Sequence, residues 1–583
     1  MKSISLSRWI CIGFSALLIA ISFLVGCQSS TASSATSASA ASSASSADVE
    51  TAVTFSVESG AYQAQSIDLT LSSSSGLPIV YTTDGSLPTA SSVRFDSAIS
   101  IDSSDTNRAL IAQLNNEIPD FRAIVVDDSL PTATVIRAAV LRPDGTVGPT
   151  FTNTYFVDED LVQMFDSIMV VSLVVDPANL LDYESGIMAK GAIYDEHRAE
   201  NELLSNGNQH EVQANYTQKG RDWEREATIE LFDGSNTLSY EAPCGIRLRG
   251  RVSRIYAQKS FNVYFRDSYG TKKMEYPLFS NVATSTSGEP VTTYKSFCLR
   301  SGGNDTELLR YRDSLLQETL SGYDFATQTS RPAIVFLNGE FYGVYSLAEK
   351  YSDSYIESHY GVDSKNVVMF EDGELDEGVD EDQALYNELI EFAERDLADE
   401  ATWNEFNNVV DVQSMADYYA TQLFIGNYDF DETQNCRIWR ARDPEEDSAY
   451  ADGRWRWMLY DTEFSTGLYG LQVTQADYDT MKQYLEICPL FAAAMRNPTF
   501  RELVRSRIID LSQNAFEPTR ITTLFDEWWV VWKPWINLSC KRFATKIDSA
   551  EQSLTFAKDF FARRADCIID FFDLHVAEIA AQS

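Results

Sequence analysis

Two short stretches in the C-terminal half carry the residues best suited to chemistry. In "WRWMLYDTEFSTGL" a strongly apolar predicted strand ends on Asp461, with a second acid, Glu463, two residues on. A carboxylate at the end of a buried strand is well placed to hold Mg2+, which takes oxygen ligands. In "GNYDFDETQNCRIWR", Asp429 and Asp431 precede Asn435 in a loop between a predicted helix and a predicted strand. Either acid could orient an attacking hydroxyl, although segments rich in Asp and Asn also form plain turns. Upstream, Lys259 lies in "AQKSFNVYF", a predicted strand behind the arginine-rich turn "RLRGRVSR". A lysine there that faces inward can reach phosphates as a point charge; otherwise it is an exposed strand lysine. Arg249 and Arg254 in the turn could bind phosphates in place of glycine amides, or serve as surface charges. A cation for phosphates, carboxylates for Mg2+ and an acid beside a hydroxyl are the parts that phosphoryl transfer needs.

Other chemistries find less support. The chain has no GxGxxG and no GxxxxGK[ST]. Its four His, His197, His210, His359 and His575, form no HExxH, and there is no GxSxG elbow. A two-carboxylate glycosidase stays open, because its acids need not be close in sequence. Glu371 to Asp382 packs eight acids into twelve residues. It reads as a solvated acidic loop, with a substrate-facing patch or a Ca2+ site as alternatives, though its order of ligands and glycine is not that of an EF-hand. The formal charge of −40 argues against nucleic acid as a partner, since the only basic cluster is the short one from Arg247 to Lys259. The acidity suits solubility outside a cell.

The elements that must position these residues begin far upstream. Residues 1–26 have the form of a secretory signal: Lys2 and Arg8, an apolar run from Trp9 to Val25, then Gly26 and Cys27. Small residues before a Cys resemble a bacterial lipobox. Cleavage would leave Cys27 lipidated, anchoring the protein on the extracytoplasmic face of a cell membrane; a plain transmembrane anchor is the alternative. No later stretch reaches the ~18 apolar residues of a spanning helix. Residues 27–50 are a Ser/Ala-rich tether that spans about 25 Å on average. From 51 to 158, short β-rich runs alternate with turn signals, which suggests a small all-β sandwich. In it Asp84-Gly85 fits a tight hairpin turn, with Gly accepting positive φ. Residues 161–578 read as strands first and helices after, an α+β arrangement. Six Cys remain beyond Cys27, widely spaced and without a CxxC pair, so zinc is poorly supported and disulfides and buried thiols are both open.

Two resemblances follow from particular blocks. "GLPIVYTTDGSLPT", with "TVIRAAVLRPDGTVGPTFTNTYF", resembles the chitobiase C-terminal-like β-sandwich, a module that usually accompanies other domains. Over roughly residues 165–570 the chain resembles the CotH (spore-coat protein H) family of kinase-like proteins. The blocks that carry this are "GRDWEREATIELFD", "GIRLRGRVSRIYAQKSFNVYFRDSYG", "FCLRSGGNDTELLRYRDSLLQETL", "AIVFLNGEFYGVYSLAEKYSDSYIESHYGVD", "GNYDFDETQNCRIWR" and "WRWMLYDTEFSTGL", in that order. The resemblance implies a two-lobed atypical protein-kinase-like domain behind the sandwich, ATP and Mg2+ as cofactors, and phosphorylation of protein Ser or Thr. It implies Asp429 as the catalytic acid, with Asp431 as rival because the spacing to Asn435 is six where the protein-kinase loop has five. It implies Asp461, Glu463 and Asn435 on the metal and Lys259, Arg249 and Arg254 on the nucleotide. Glu318 would pair with Lys259 as a helix acid, or be a solvated helix-face residue. Glu349 would lie near the nucleotide, or form a structural salt bridge. An exported kinase must explain its ATP, so two other readings stand beside it: a non-catalytic surface adhesion or scaffold protein, and a carbohydrate-binding one. The expected partners are the membrane and a protein substrate or surface polymer.

Overall fold

Strand parity, the choice of which side chains face in and which face out, decides what reaches the functional cleft. The computed structural model describes residues 52–102, 109–117, 123–158, 168–200 and 212–582. The expected signal, Cys27 and the tether lie outside the described residues.

The N-terminal strands β1 (Gly60–Tyr62), β2 (Ile79–Thr82), β3 (Val93–Arg94), β4 (Thr134–Val140) and β5 (Phe151–Val157) form one sheet in the order β1-β5-β4-β2-β3. Two strand pairs, Val53–Phe55 with Leu71–Ser73 and Ser66–Leu69 with Ile99–Asp102, share its apolar core. Gly85 has φ +83° as expected, and Asp84 Oδ1 accepts from the Ser86 amide at 3.0 Å. The turn is not a tight hairpin, however: β2 meets β3 only after a longer connection. The glycine serves docking instead, because a Cβ there would overlap the Asn338 side chain.

Seven strands then close into a barrel: β6 (Met169–Val175), β7 (Arg225–Phe232), β8 (Tyr240–Arg249), β9 (Ser260–Tyr264), β10 (Ser296–Arg300), β11 (Ser330–Leu337) and β12 (Glu340–Glu349). The circuit runs β6-β7-β8-β9-β10-β12-β11 and closes through the parallel pair β11–β6. Period-two alternation fills the interior. Ile246 and Leu248, Phe261 and Val263, and Phe297 and Leu299 all join one buried cluster. Strand β6, sequence MVVSLVV, is buried along its whole length. Met169, Val171 and Leu173 point to the barrel core, while Val170 packs with Phe156 of the sandwich. Burial on both faces explains the continuous apolar run. Residues 50–583 form one compact unit, so the sandwich is built onto the barrel.

The C-terminal part combines a sheet with helices. Strands β13 (Val367–Glu371), β14 (Glu374–Glu377), β15 (Arg437–Ala441) and β16 (Arg456–Met458) pair in the order β14-β13-β15-β16. Helix α1 (Arg312–Thr319) lies between β10 and β11, and α2 (Asp353–Tyr360) follows β12. Helices α3 (Gln383–Glu391), α4 (Val412–Ile425), α5 (Pro498–Gln513), α6 (Pro518–Arg542) and α7 (Ile547–Gln582) belong to the same lobe, with further helices at Glu400–Val409, Thr480–Ile487 and Pro489–Ala494. The α+β, two-lobed arrangement is the expected one. Helix α4 is buried almost all round, its polar residues Ser414, Asp417, Thr421 and Gln422 included. Helix α6 docks on the barrel, where Ser539 Oγ accepts from the Val344 amide at 2.9 Å. The acidic stretch is not a free solvated loop: it forms the β13–β14 hairpin, and Arg437 and Arg442 grip Glu371, Asp376 and Asp382. All six Cys are free thiols, and all but Cys567 are buried. No described helix is long and apolar enough to cross a membrane.

A fully buried carboxylate sits where sandwich and barrel meet. Glu230 of β7 accepts from Ser59 Oγ at 2.5 Å and from the Thr154 hydroxyl, and Thr154 Oγ1 also meets Ser172 Oγ at 2.8 Å. Its cross-strand partner is another acid, Glu241. Burial pushes the Glu230 carboxyl up to about 7 from the ordinary 4.5, against the pull of its hydroxyl and amide donors. The folded state therefore binds the extra proton. Stability is complete below the unfolded value and is lost as pH rises through the folded one, by about 3 kcal/mol. Urea midpoints followed from about pH 5 to about pH 8 should fall for the wild type and fall clearly less for Glu230→Gln, the remainder coming from Glu241, whose carboxyl burial also pushes up to about 7. An equal fall in the variant would assign the pH dependence to another group.

Candidate functional site

A cleft of about 1070 Å³ separates the barrel from the C-terminal sheet, and it collects Asp429, Gln434, Asn435, Asp461 and Glu463 on one wall. The opposite wall is the outer face of the barrel, with Arg247, Arg249, Ser260, Asn262 and Arg300. These are the alternates of the core-facing residues in β8, β9 and β10, so strand parity delivers them.

The loop that carries Asp429 leaves α4 at Gly426, which caps the helix in the left-handed region at φ +65°. Half-buried Glu432 pins the loop, accepting from Tyr419 Oη at 2.9 Å and from the Leu490 and Phe491 amides at 3.1 and 3.0 Å. Asn435 Nδ2 donates to the Asp429 carbonyl at 2.6 Å and to Oδ2 at 3.2 Å, and Gln434 Nε2 donates to Oδ1. Burial, and then the charge of Asp461, raise the Asp429 pKa. Asp372 Oδ1 holds the far end of the loop through the Cys436 amide at 3.2 Å.

Asp461 follows β16 in a left-handed conformation, φ +53°, that a non-glycine residue rarely adopts. Two partners hold that segment. Asp313 of α1 accepts from the Thr462 amide at 3.0 Å and its hydroxyl at 2.8 Å. Arg300, at the end of β10, donates through Nη2 to Asp461 Oδ1 and to both oxygens of Glu463, at 2.6 and 2.5 Å. Arg300 Nε lies 3.8 Å from Asp313. Burial disfavours charge on Arg300, but Glu463, Asp313 and Asp461 outweigh it and keep the guanidinium protonated. Burial also opposes ionisation of Asp461, yet Arg300 holds its pKa below the ordinary value, while burial drives buried Glu463 well above it. Gly303, φ +55°, covers the pair so closely that a Cβ would overlap Glu463 Oε1.

Several expected residues are elsewhere. Lys259 does not line the cleft. It has the parity of Phe261 and Val263, so it points inward, donates to the Arg254 carbonyl and lies 4.2 Å from the Tyr216 ring centroid. Burial, aided by Arg254, lowers its pKa to about 7. Glu318 is exposed and has no Lys259 partner, because five residues place it about 140° round the helix from Asp313. Glu349 is buried outside the cleft, paired with His359 Nε2 at 2.7 Å and accepting from the Thr329 amide at 3.0 Å. It is the structural salt bridge. Asp431 Oδ1 is used within its own turn by Thr433, amide and hydroxyl, so Asp429 is the loop acid in the cleft. Arg254 borders the cleft, but its Nη1 is spent on the Thr217 and Gln218 carbonyls, both at 2.7 Å. Arg249 makes no hydrogen bond or ion pair among the described residues; its guanidinium lies 5.7 Å from the Tyr460 ring centroid. Arg300, Asp313 and Gly303 were missed. The alternation in "SFCLR" places Arg300 opposite the core residues Phe297 and Leu299, a usable signal.

A second cleft, about 1090 Å³, is lined by His359, Asp417, Arg507 and Asp510 among others. Its ionic groups are largely matched: Asp417 with Arg507 at 2.9 Å, Asp510 with Tyr323 Oη at 2.8 Å. The convergence of loop acid, amide and strand-end acid belongs to the first cleft alone among these two.

The family model described as CotH kinase protein matches residues 246–568, more than half of the chain. The chain belongs to the CotH kinase family. All the cleft residues just described from Arg247 onward fall inside the matched segment. Membership suggests a protein kinase-like function and implies the use of ATP. A second model, chitobiase/beta-hexosaminidase C-terminal domain, matches residues 57–117 in the sandwich. No curated protein shows a significant match to the chain.

In this CotH-family cleft the geometry separates Lys259 from Arg249. Lys259→Met should leave nucleotide affinity within about twofold of wild type. Arg249→Met should weaken it about tenfold. Calorimetric titration with ATP checks both, and a Lys259→Met loss as large as that of Arg249→Met would return the lysine to the site.

Proposed function

We propose that this CotH-family protein transfers the γ-phosphoryl group of ATP to a Ser or Thr hydroxyl of a protein. We further propose that it works on the outer face of a cell membrane, held there by lipid on Cys27. The observation that carries the catalytic reading is the convergence of Asp429, Asn435 and Asp461, drawn from two separate chain segments, opposite the uncommitted Arg249.

Phosphoryl transfer depends on positioning and charge, with little covalent work for the protein. Asp429 orients the acceptor hydroxyl and takes its proton as the hydroxyl oxygen bonds the γ-phosphorus and the bond from that phosphorus to the bridging oxygen breaks, releasing ADP; its raised pKa favours that acceptance. Asn435 and Gln434 fix the Asp429 carboxylate through their amides. Arg249 contacts the phosphates from the barrel wall.

The donor set suits Mg2+. Among the described residues no group of three or more His, Cys, Asp or Glu is arranged to hold a metal alone. Mg2+ characteristically uses one or two carboxylates and completes its shell with water and substrate phosphates. Asp461 and Asn435, both oxygen-bearing and both lining the cleft, would hold it, with Glu463 behind. Bound there, it would neutralise charge on the phosphates.

Two measurements test this reading. Mg2+-ATP at 100 times its dissociation constant should stabilise the wild type by about 2.7 kcal/mol, read as a rise in melting temperature. The rise should vanish in Asp461→Ala. Asp429→Asn should keep the rise and lose phosphoryl transfer to a protein acceptor by about 10²–10⁴-fold. No rise with millimolar nucleotide in the wild type would sink the kinase reading and favour a surface-binding role.

A further inference from the structure

The contact between Arg300 and its acids has an unusual form. A guanidinium carries five N–H donors in a planar fork, and stable pairs with carboxylates commonly use two nitrogens at once. Here every hydrogen bond of Arg300 runs through Nη2, to Asp461 and to both oxygens of Glu463. Nε is buried without a hydrogen-bond partner, since Asp313 stands 3.8 Å away. One guanidinium nitrogen thus serves two acids, and one guanidinium serves three. The arrangement satisfies the acids with a cation but leaves the cation poorly satisfied.

Two of those acids stand at the Mg2+ position proposed above, Asp461 as a ligand and Glu463 behind it. Arg300 and a divalent cation therefore compete for the same oxygens. We propose that Arg300 is a resident counter-ion of the metal position, which holds Asp461 and Glu463 together in the metal-free protein and gives them up when a divalent cation binds. This rests on the metal ligands named under the proposed function, but not on catalysis. The physical basis is desolvation: buried acids without a cation are costly, so some positive charge must occupy the position in every state. The poor use of the fork makes Arg300 an occupant that can be displaced. Removing its charge should lower the stability of the metal-free protein and raise its affinity for the metal. A purely structural ion pair gives the opposite sign, because loosening Asp461 and Glu463 would weaken metal binding too.

The test uses Mn2+ as probe, followed by electron paramagnetic resonance without nucleotide, on wild type, Arg300→Gln and Arg300→Met. Either neutral variant that remains folded by circular dichroism should bind Mn2+ about tenfold more tightly than wild type. Its metal-free melting temperature should be lower, and Mn2+ should restore more of it than it adds to the wild type. Equal or weaker Mn2+ affinity in the folded variants overturns the exchange. Should both variants fail to fold without metal, refolding with Mn2+ present decides: recovery supports the exchange and failure overturns it. ATP added to the wild type with Mn2+ separates the two ideas, since absent nucleotide binding defeats the kinase reading while leaving the Mn2+ comparison intact.

Discussion

The cleft depends on the burial of Arg300 among three acids. Asp313 comes from helix α1, Arg300 from the end of barrel strand β10, and Asp461 and Glu463 from the segment after β16. Those elements belong to different layers, and few other polar contacts join them so directly. Removing one member of such a group leaves a buried charge unmatched, which typically costs about 3–5 kcal/mol. The same group explains the left-handed backbone of Asp461. A non-glycine residue there carries a cost of order 1–3 kcal/mol. Asp313 on Thr462 and Arg300 on Asp461 supply the constraint that keeps it.

A different constraint governs the sandwich. Strand β6 is apolar on both faces, and the barrel can cover only one of them. Phe156 packs edge-on against Phe232 and Phe336, with ring centroids 5.5 and 4.9 Å apart, and closes the other face. The sandwich therefore completes the barrel's packing. Within this apolar contact Glu230 is the polar exception, and its hydroxyl partners come from both sides of the junction. Such a group specifies register, since sliding the sheets would strand a carboxylate without donors.

The sequence made the architecture and part of the site legible, and the reasons divide cleanly. Strong periodic runs such as Val412–Ile425 appear in the structure with the expected bounds, because burial all round leaves no competing conformation. Asp429 and Asp461 each follow a strongly apolar element, where a loop must surface, and Asn435 stands just before β15; all three line the cleft. Lys259 could not be read correctly because its fate turns on parity. A shift of one residue exchanges core for cleft, and the arginine-rich turn before β9 hides the phase. Glu318 failed for the helical version of the same reason: Asp313 and Glu318 share one short helix, and only packing shows which faces inward. Arg300 escaped notice because a strand-end arginine is ordinary until its three partners, up to 163 residues away, are brought beside it. The acidic hairpin looked like a solvated loop because Arg437 and Arg442, which hold it, lie more than 50 residues further on.

Charge distribution ties these parts to function. The chain carries 86 acidic and 46 basic residues, yet the cleft is lined by ten Lys or Arg and eight Asp or Glu, so its balance is locally reversed. The two signs are only partly separated in space, because Arg300 reaches across to Asp461 and Glu463 and Arg437 stands on the C-terminal sheet beside Glu371 and Asp376. The barrel contributes Arg247, Arg249, Arg266 and Arg300, whereas the C-terminal wall contributes Asp429, Asp461 and Glu463. A walled cleft concentrates field lines, and a polarised one orients what enters it. An anionic ligand is drawn from a repelling surface to the barrel wall, and its free end then faces the acids. In the proposed reaction a nucleoside triphosphate would lay its phosphates on the arginines, with metal and acceptor at the carboxylates. Strand parity supplies the positive wall, and the loops after α4 and β16 supply the negative one. The reaction reading follows from both walls meeting across a gap that neither creates alone.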